Sequence, residues 1–123
     1  MFTIDYKSPA PIYDQIVKSV IRMHAIGAVK SGEQLPSVRQ TAVKLGVNPN
    51  TVQKAYNILE SKGVIVSVAG RGSFISEEFD SKAELADEVL AELASVIEKA
   101  KSIGVTKSQI EEQINKSFGG DAK

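Results

Sequence analysis

Asn48, Asn50, Thr51, Gln53 and Lys54 lie within seven residues of one another, inside the stretch "LGVNPNTVQKAY". Their side chains are three amides, one hydroxyl and one ammonium. No carboxylate interrupts them, and none occurs between Gln34 and Ile58. Helix surfaces in water usually carry paired Glu and Lys instead. Neutral donors and acceptors with one positive charge suit the edges of nucleic-acid bases, where Asn or Gln can pair with adenine through two hydrogen bonds. Carboxylates on such a surface would repel phosphates. Other chemistry-bearing residues are sparse. There is no Cys, which excludes disulfides and thiol catalysis. His24 is the sole histidine and has no second ligand beside it, so it reads as partly buried packing. With no phosphate loop either, the expectation is a protein that is not an enzyme, with no catalytic residue, metal site or cofactor.

The 123 residues allow one compact domain and an appendage. Net charge is zero, but the average conceals a split. Residues 1–76 carry nine basic against four acidic side chains, a net of +5. Residues 77–123 carry six Lys against eleven acidic ones, a net of −5. A part that faces a polyanion and a part kept away from it would look like this; so would chance plus one acidic helix. No apolar run is long enough for a membrane span, and the start lacks the features of a signal peptide. The expected setting is the cytoplasm, with no membrane partner.

The elements that must position the polar cluster follow from spacing. Residues 1–10 read as extended, because Pro9 and Pro11 disfavour helix. From Pro11 a helix should run to about Gly27, with Ile12, Ile16, Val20 and Met23 as its stripe. A loop with Gly32 and Pro36 follows. Ser37 and Gln40 fit a capping box opening a second helix, which Gly46 ends. Asn48 suits a cap and Pro49 the first position of a third helix, which continues to Gly63. That helix turns Val52, Ala55, Tyr56 and Leu59 to one side and Asn50, Gln53, Lys54 and Asn57 to the other. "VIVSV-AGRG-SFIS" then reads as a β-hairpin with a four-residue turn. From Ser81 a long helix carries Leu85, Val89, Leu93, Val96, Ala100 and Ile103 at near-heptad spacing, widened by Leu90 and Ile97. Gly104 stops it. Thr106 and Gln109 cap a short helix with Ile110, Ile114 and Phe118 on one side, and "GGDAK" reads as a frayed tail.

Two short helices joined by a tight turn, backed by a third and followed by a hairpin, make a winged helix-turn-helix over residues 1–76. Residues 77–123 form a two-helix tail, so the fold class is mostly α with a small β-hairpin. The second helix of such a unit enters the major groove. The two helix N-termini can bind phosphate oxygens, with Ser37 and Thr51 as added donors and Arg39 close by. Arg71, between Gly70 and Gly72, suits a minor groove or a backbone clamp. Plainer readings exist for each: Asn48 as only a cap, Arg39 in an internal ion pair, the glycines as hairpin closers. A winged helix used for protein contact without DNA is the competing interpretation of the whole.

Three segments, "PIYDQI", "LPSVRQTAVKLGVNPNTVQKAYNILESKGVI" and "GRGSFI", resemble in order and spacing the DNA-binding domain of GntR-type bacterial transcription regulators. The resemblance covers residues 2–76, and the short tail is similar to the YtrA-type subfamily, which lacks a large effector domain. It implies a homodimeric repressor that binds double-stranded DNA at an inverted repeat, near transporter genes. DNA contacts would fall on Ser37, Arg39, Asn48, Asn50, Thr51, Gln53, Lys54, Gly70 and Arg71. The dimer interface would use Leu85, Val89, Leu93, Val96, Ile103, Ile110, Ile114 and Phe118. A small-molecule effector is left open, since no ligand-recognising cluster is visible. Thr41 stands where the family usually has Leu, which implies looser packing behind the second helix. His24 stands where Ile or Leu is common, and Ile26 where a polar residue is. Pro49 replaces a side chain that touches DNA in some relatives.

Overall fold

Pro9 and Pro11 keep the chain out of helix until Ile12, where helix α1 (Ile12–Ala25) begins in the computed structural model, which describes residue 2 and residues 4–119. Pro11 is the flanking residue rather than the first helical one. Its carbonyl accepts from the Asp14 and Gln15 amides, both at 3.1 Å. Residues 6–10 turn instead of extending, which corrects the sequence expectation there. The Asp5 carboxylate accepts from the Lys7 amide at 3.0 Å and the Asp5 carbonyl from the Ser8 amide at 3.2 Å. Gln15 then clamps the turn, accepting from the Asp5 amide at 2.7 Å and donating to the Asp5 and Ala10 carbonyls, each at 3.0 Å. These bonds reach across five to ten residues, so alternation in "FTID" could not show them; Thr3 of that stretch lies outside the described residues, as do residues 120–123 of the expected frayed tail.

Helices α2 (Val38–Leu45) and α3 (Pro49–Ser61) are joined by Gly46-Val47-Asn48. Gly46 adopts φ 69°, a left-handed conformation in which a Cβ is disfavoured, and its amide closes the end of α2. Strands β1 (Ile65–Val68) and β2 (Gly72–Ile75) pair antiparallel in the register Ile65 with Ile75 and Val68 with Gly72. The turn is therefore three residues, Ala69 to Arg71, one shorter than expected, because Gly72 is already a strand residue. Ile16 and Val20 of α1, Val52, Ala55 and Leu59 of α3, and Val64, Ile65 and Ile75 of the hairpin form the core. α1 buries a broader stripe than Ile12, Ile16, Val20 and Met23 alone, since Val17 and Ile21 are buried too. Three helices with a hairpin beside the third make a winged helix-turn-helix.

Thr41 does not leave a slack place in this core. It is buried, and its hydroxyl lies 3.1 Å from the Tyr56 hydroxyl, which donates to the Pro36 carbonyl at 2.7 Å. Tyr56→Phe strands a buried hydroxyl and a carbonyl, and should cost about 1–3 kcal/mol in a urea melt; an unchanged midpoint would show that the network holds nothing together. Burial raises the Tyr56 pKa above the usual 10.0, with the Thr41 hydrogen bond pulling the other way. A folded-state pKa above the unfolded one means stability that is full below pH 10 and lost as pH climbs through the folded value. The deficit of the Phe variant should therefore narrow on the alkaline side.

The chain divides into two compact units, one reaching Leu85 and the other starting at Ala86. Helix α4 (Ser81–Ser102) begins in the first and continues through the second, which also holds α5 (Lys107–Ser117). Ser81, at the start of α4, is buried and its hydroxyl lies 2.7 Å from His24 Nδ1, while Ser31 Oγ lies 3.0 Å from Nε2. The half-buried imidazole thus has a polar partner on each side. In the second unit the Val105 amide donates to the Ala100 carbonyl at 3.0 Å, and Thr106 and Gln109 close the reciprocal cap of α5. Ile97, Ala100, Val105 and Ile110 are half-buried there. Val89, Leu90, Leu93, Val96, Ile103, Ile114 and Phe118 remain exposed. Among the described residues no helix is long and apolar enough to cross a membrane.

Candidate nucleic-acid interface

Each candidate side chain is held by a local device. Ser37 Oγ accepts from the Gln40 amide at 3.1 Å, and Gln40 Oε1 accepts from the Ser37 amide at 2.9 Å. The capping box leaves the Ser37 O–H proton as a donor, because the cap uses only a lone pair. Arg39 is the second residue of α2 and exposed, with no ion pair among the described residues. No acidic residue occupies the first turn of α2 or of α3. Both N-termini therefore keep the positive end of their dipole uncompensated.

Asn48 caps α3: its Oδ1 accepts from the Asn50 amide at 2.7 Å. The plainer reading of Asn48 is thus a fact of the structure, although its Nδ2 protons take no part in the cap. Asn50, Gln53, Lys54 and Asn57 are exposed and Thr51 half-exposed, while Val52, Ala55, Tyr56 and Leu59 face inward. Two further contacts restrain side chains of α3. Gln53 Nε2 donates to Asn57 Oδ1 at 2.9 Å, one turn along. Lys54 Nζ sits 4.0 Å from the centroid of the Tyr13 ring on α1. The ring face attracts the ammonium and restricts its stem.

At the wing, Gly70 and Arg71 are exposed and the Arg71 amide donates to the Val68 carbonyl at 2.9 Å. The base of the wing and the start of α2 line one cleft of about 430 Å³, bounded by Gln34, Ser37, Gln40, Tyr56 and Gly72. The structure thus brings Ser37 beside the wing. Gln34, which sequence reasoning passed over, joins the two: its Nε2 donates to the Arg71 carbonyl at 2.7 Å. Only its place just before "LPS" sets it apart in the sequence. Among the described residues no group of His, Asp or Glu could hold a metal ion.

Residues 12–75 match the family model described as bacterial regulatory proteins, gntR family. The HTH-type transcriptional repressor YtrA of Bacillus subtilis (strain 168) is 38% identical to this chain, over 100% of it and 95% of the relative. A transcriptional regulator from Oenococcus oeni superposes with a TM-score of 0.84 at 34% identity, covering 95% of this chain and 98% of that one. The structure of YtrA from Sulfolobus acidocaldarius, a GntR-family transcription factor, gives a TM-score of 0.60 at 41% identity, over 76% of this chain and 97% of that one.

Proposed function

The chain belongs to the gntR family of bacterial regulatory proteins, and on that premise we propose that it is a homodimeric transcription repressor binding an inverted-repeat operator. The observation that carries this is the exposed face of α3: amides, a hydroxyl and a lysine, opening at a capped N-terminus, with no acid nearby. On this reading residues 1–76 meet DNA. Asn50, Thr51 and Gln53 face base edges, while Ser37, Arg39, Asn48 and Lys54 meet phosphates and Gly70 and Arg71 follow the adjacent groove. With one N–H of Gln53 committed to Asn57, its Oε1 and its second N–H remain. That is the acceptor–donor pair that adenine offers partners for in the major groove.

Residues 77–123 supply the second copy. Val89, Leu90, Leu93 and Val96 lie within two turns and share one side of α4, yet Leu93 is 48% and Val96 59% exposed. A continuous apolar stripe of this kind marks an interface. We assign it to an identical chain, together with Leu85, Ile103, Ile110, Ile114 and Phe118. Two-fold symmetry then presents two α3 helices to half-sites about one DNA turn, roughly 34 Å, apart.

Fluorescence anisotropy on duplex from the region upstream of its own gene tests the proposal. A shuffled duplex of equal length should bind about 10³-fold more weakly or worse. Arg39→Ala should weaken binding to both duplexes alike, about tenfold or more, as loss of a charged phosphate contact does. Equal affinity for the two duplexes would defeat the claim of sequence specificity. Retention of a different protein and of no duplex would favour a protein-docking role instead.

A further inference from the structure

We propose that Gln34 is a positioning residue for the wing: its side-chain amide holds the Arg71 backbone at the place where Arg71 meets DNA. The inference deepens the DNA-binding reading and rests on it. The wing by itself is a two-stranded hairpin with a three-residue tip, Ala69-Gly70-Arg71. Such a hairpin is marginal in water, and glycine at the tip adds freedom.

The outer edge of β2 is not bare. Carbonyls of residues two apart along a strand point to the same edge, so those of Ile75, Ser73 and Arg71 form one row. The Gly32 amide donates to Ile75 O at 2.8 Å, and the Leu35 amide to Ser73 O at 2.9 Å. The Ile75 amide returns a bond to Glu33 O at 2.8 Å, and Gln34 bridges Phe74. Residues 32–35 thus act as a short third strand that runs out at Ser73. The Gln34 side chain makes the next rung, to Arg71 O at 2.7 Å. Gly72 is built for that rung. It has φ 113°, and a Cβ placed on it would sit 2.7 Å from Gln34 Nε2. The amide occupies the space that a side chain at position 72 would need.

Because residues 34 and 37 are three apart, the same segment that braces the wing leads directly into the cap of α2. Arg71 is thereby registered against the phosphate site at Ser37 and Arg39, instead of sampling positions on its own. A side chain that is already placed loses less freedom on binding.

The test uses the full chain and four variants: Gln34→Ala, Gly72→Ala, Arg71→Ala and the double Gln34→Ala with Arg71→Ala. In the free protein, amide relaxation by NMR should show the tip residues 69–71 gaining motion in Gln34→Ala, with the rest of the spectrum and the melting temperature nearly unchanged. With operator duplex, Gln34→Ala and Arg71→Ala should each lose about tenfold, and the double variant no more than Arg71→Ala alone. Unaltered tip dynamics in Gln34→Ala would overturn the proposal, as would additive losses in the double variant. Gly72→Ala should show the same tip motion; a rigid tip there would likewise count against it. If the native chain binds no duplex, the DNA reading falls, and the NMR arm still decides whether Gln34 orders the wing.

Discussion

Leu93→Asp together with Val96→Asp should convert the protein to a monomer by sedimentation and weaken operator binding by about 10²–10⁴-fold. Both residues lie on the apolar stripe of α4, three apart and therefore on one side of the helix, and both are half-exposed in the single chain. Carboxylates there cost nothing while solvated. In an apolar interface each costs several kcal/mol, and the symmetry of a dimer doubles the number. The loss on DNA follows from linkage. Once one α3 is seated, the second half-site meets its partner at high effective concentration only while the two chains are joined. A duplex with a single half-site should bind the variant and native domains equally. A variant that stays dimeric, or that keeps full operator affinity as a monomer, would show that this stripe is not what brings two reading helices together.

Raising salt from 50 to 200 mM should weaken binding by about 10³-fold, and Arg39→Ala should flatten the dependence. Arg39, Lys54 and Arg71 are the basic side chains assigned to DNA, three per chain and six per dimer. With the groove-seated Arg71 displacing a counterion as the two phosphate-bound cations do, six such cations give a slope near −5 in log affinity against log salt. Removing Arg39 from both chains should bring it to about −4. Lys54 adds a refinement, since its ammonium rests on the Tyr13 ring. Tyr13→Leu should leave the slope unchanged if Lys54 still reaches its phosphate, and weaken affinity only by the freedom restored to the side chain. A slope near zero would remove phosphate contact from the mechanism altogether.

What could be read in the sequence was local. The Ser37–Gln40 and Thr106–Gln109 caps, Asn48 with Pro49, and Gly46 all depend on neighbours within four residues, and each appears as expected. So does the division of α3 into a buried side and a polar side, because a 3.6-residue period needs no tertiary information. The larger misses are non-local. Gln15 closes the turn between Asp5 and Ala10 by reaching back to both. Thr41 keeps its hydroxyl satisfied through Tyr56, fifteen residues on. Gln34 finds Arg71 across thirty-seven. The hairpin turn is one residue shorter than the sequence suggests, because Gly72, a residue typical of turns, is a strand residue shaped around a distant amide.

Ser37, Gln40 and Asn48 close the two helix starts with their own side chains. A surface finished in this way has little left to assemble when a duplex arrives. Encounter then meets two helix starts already formed: no helical turn to fold there, and a capture rate governed by diffusion and charge. Time on the operator, rather than speed of arrival, is the quantity left for base sequence to set.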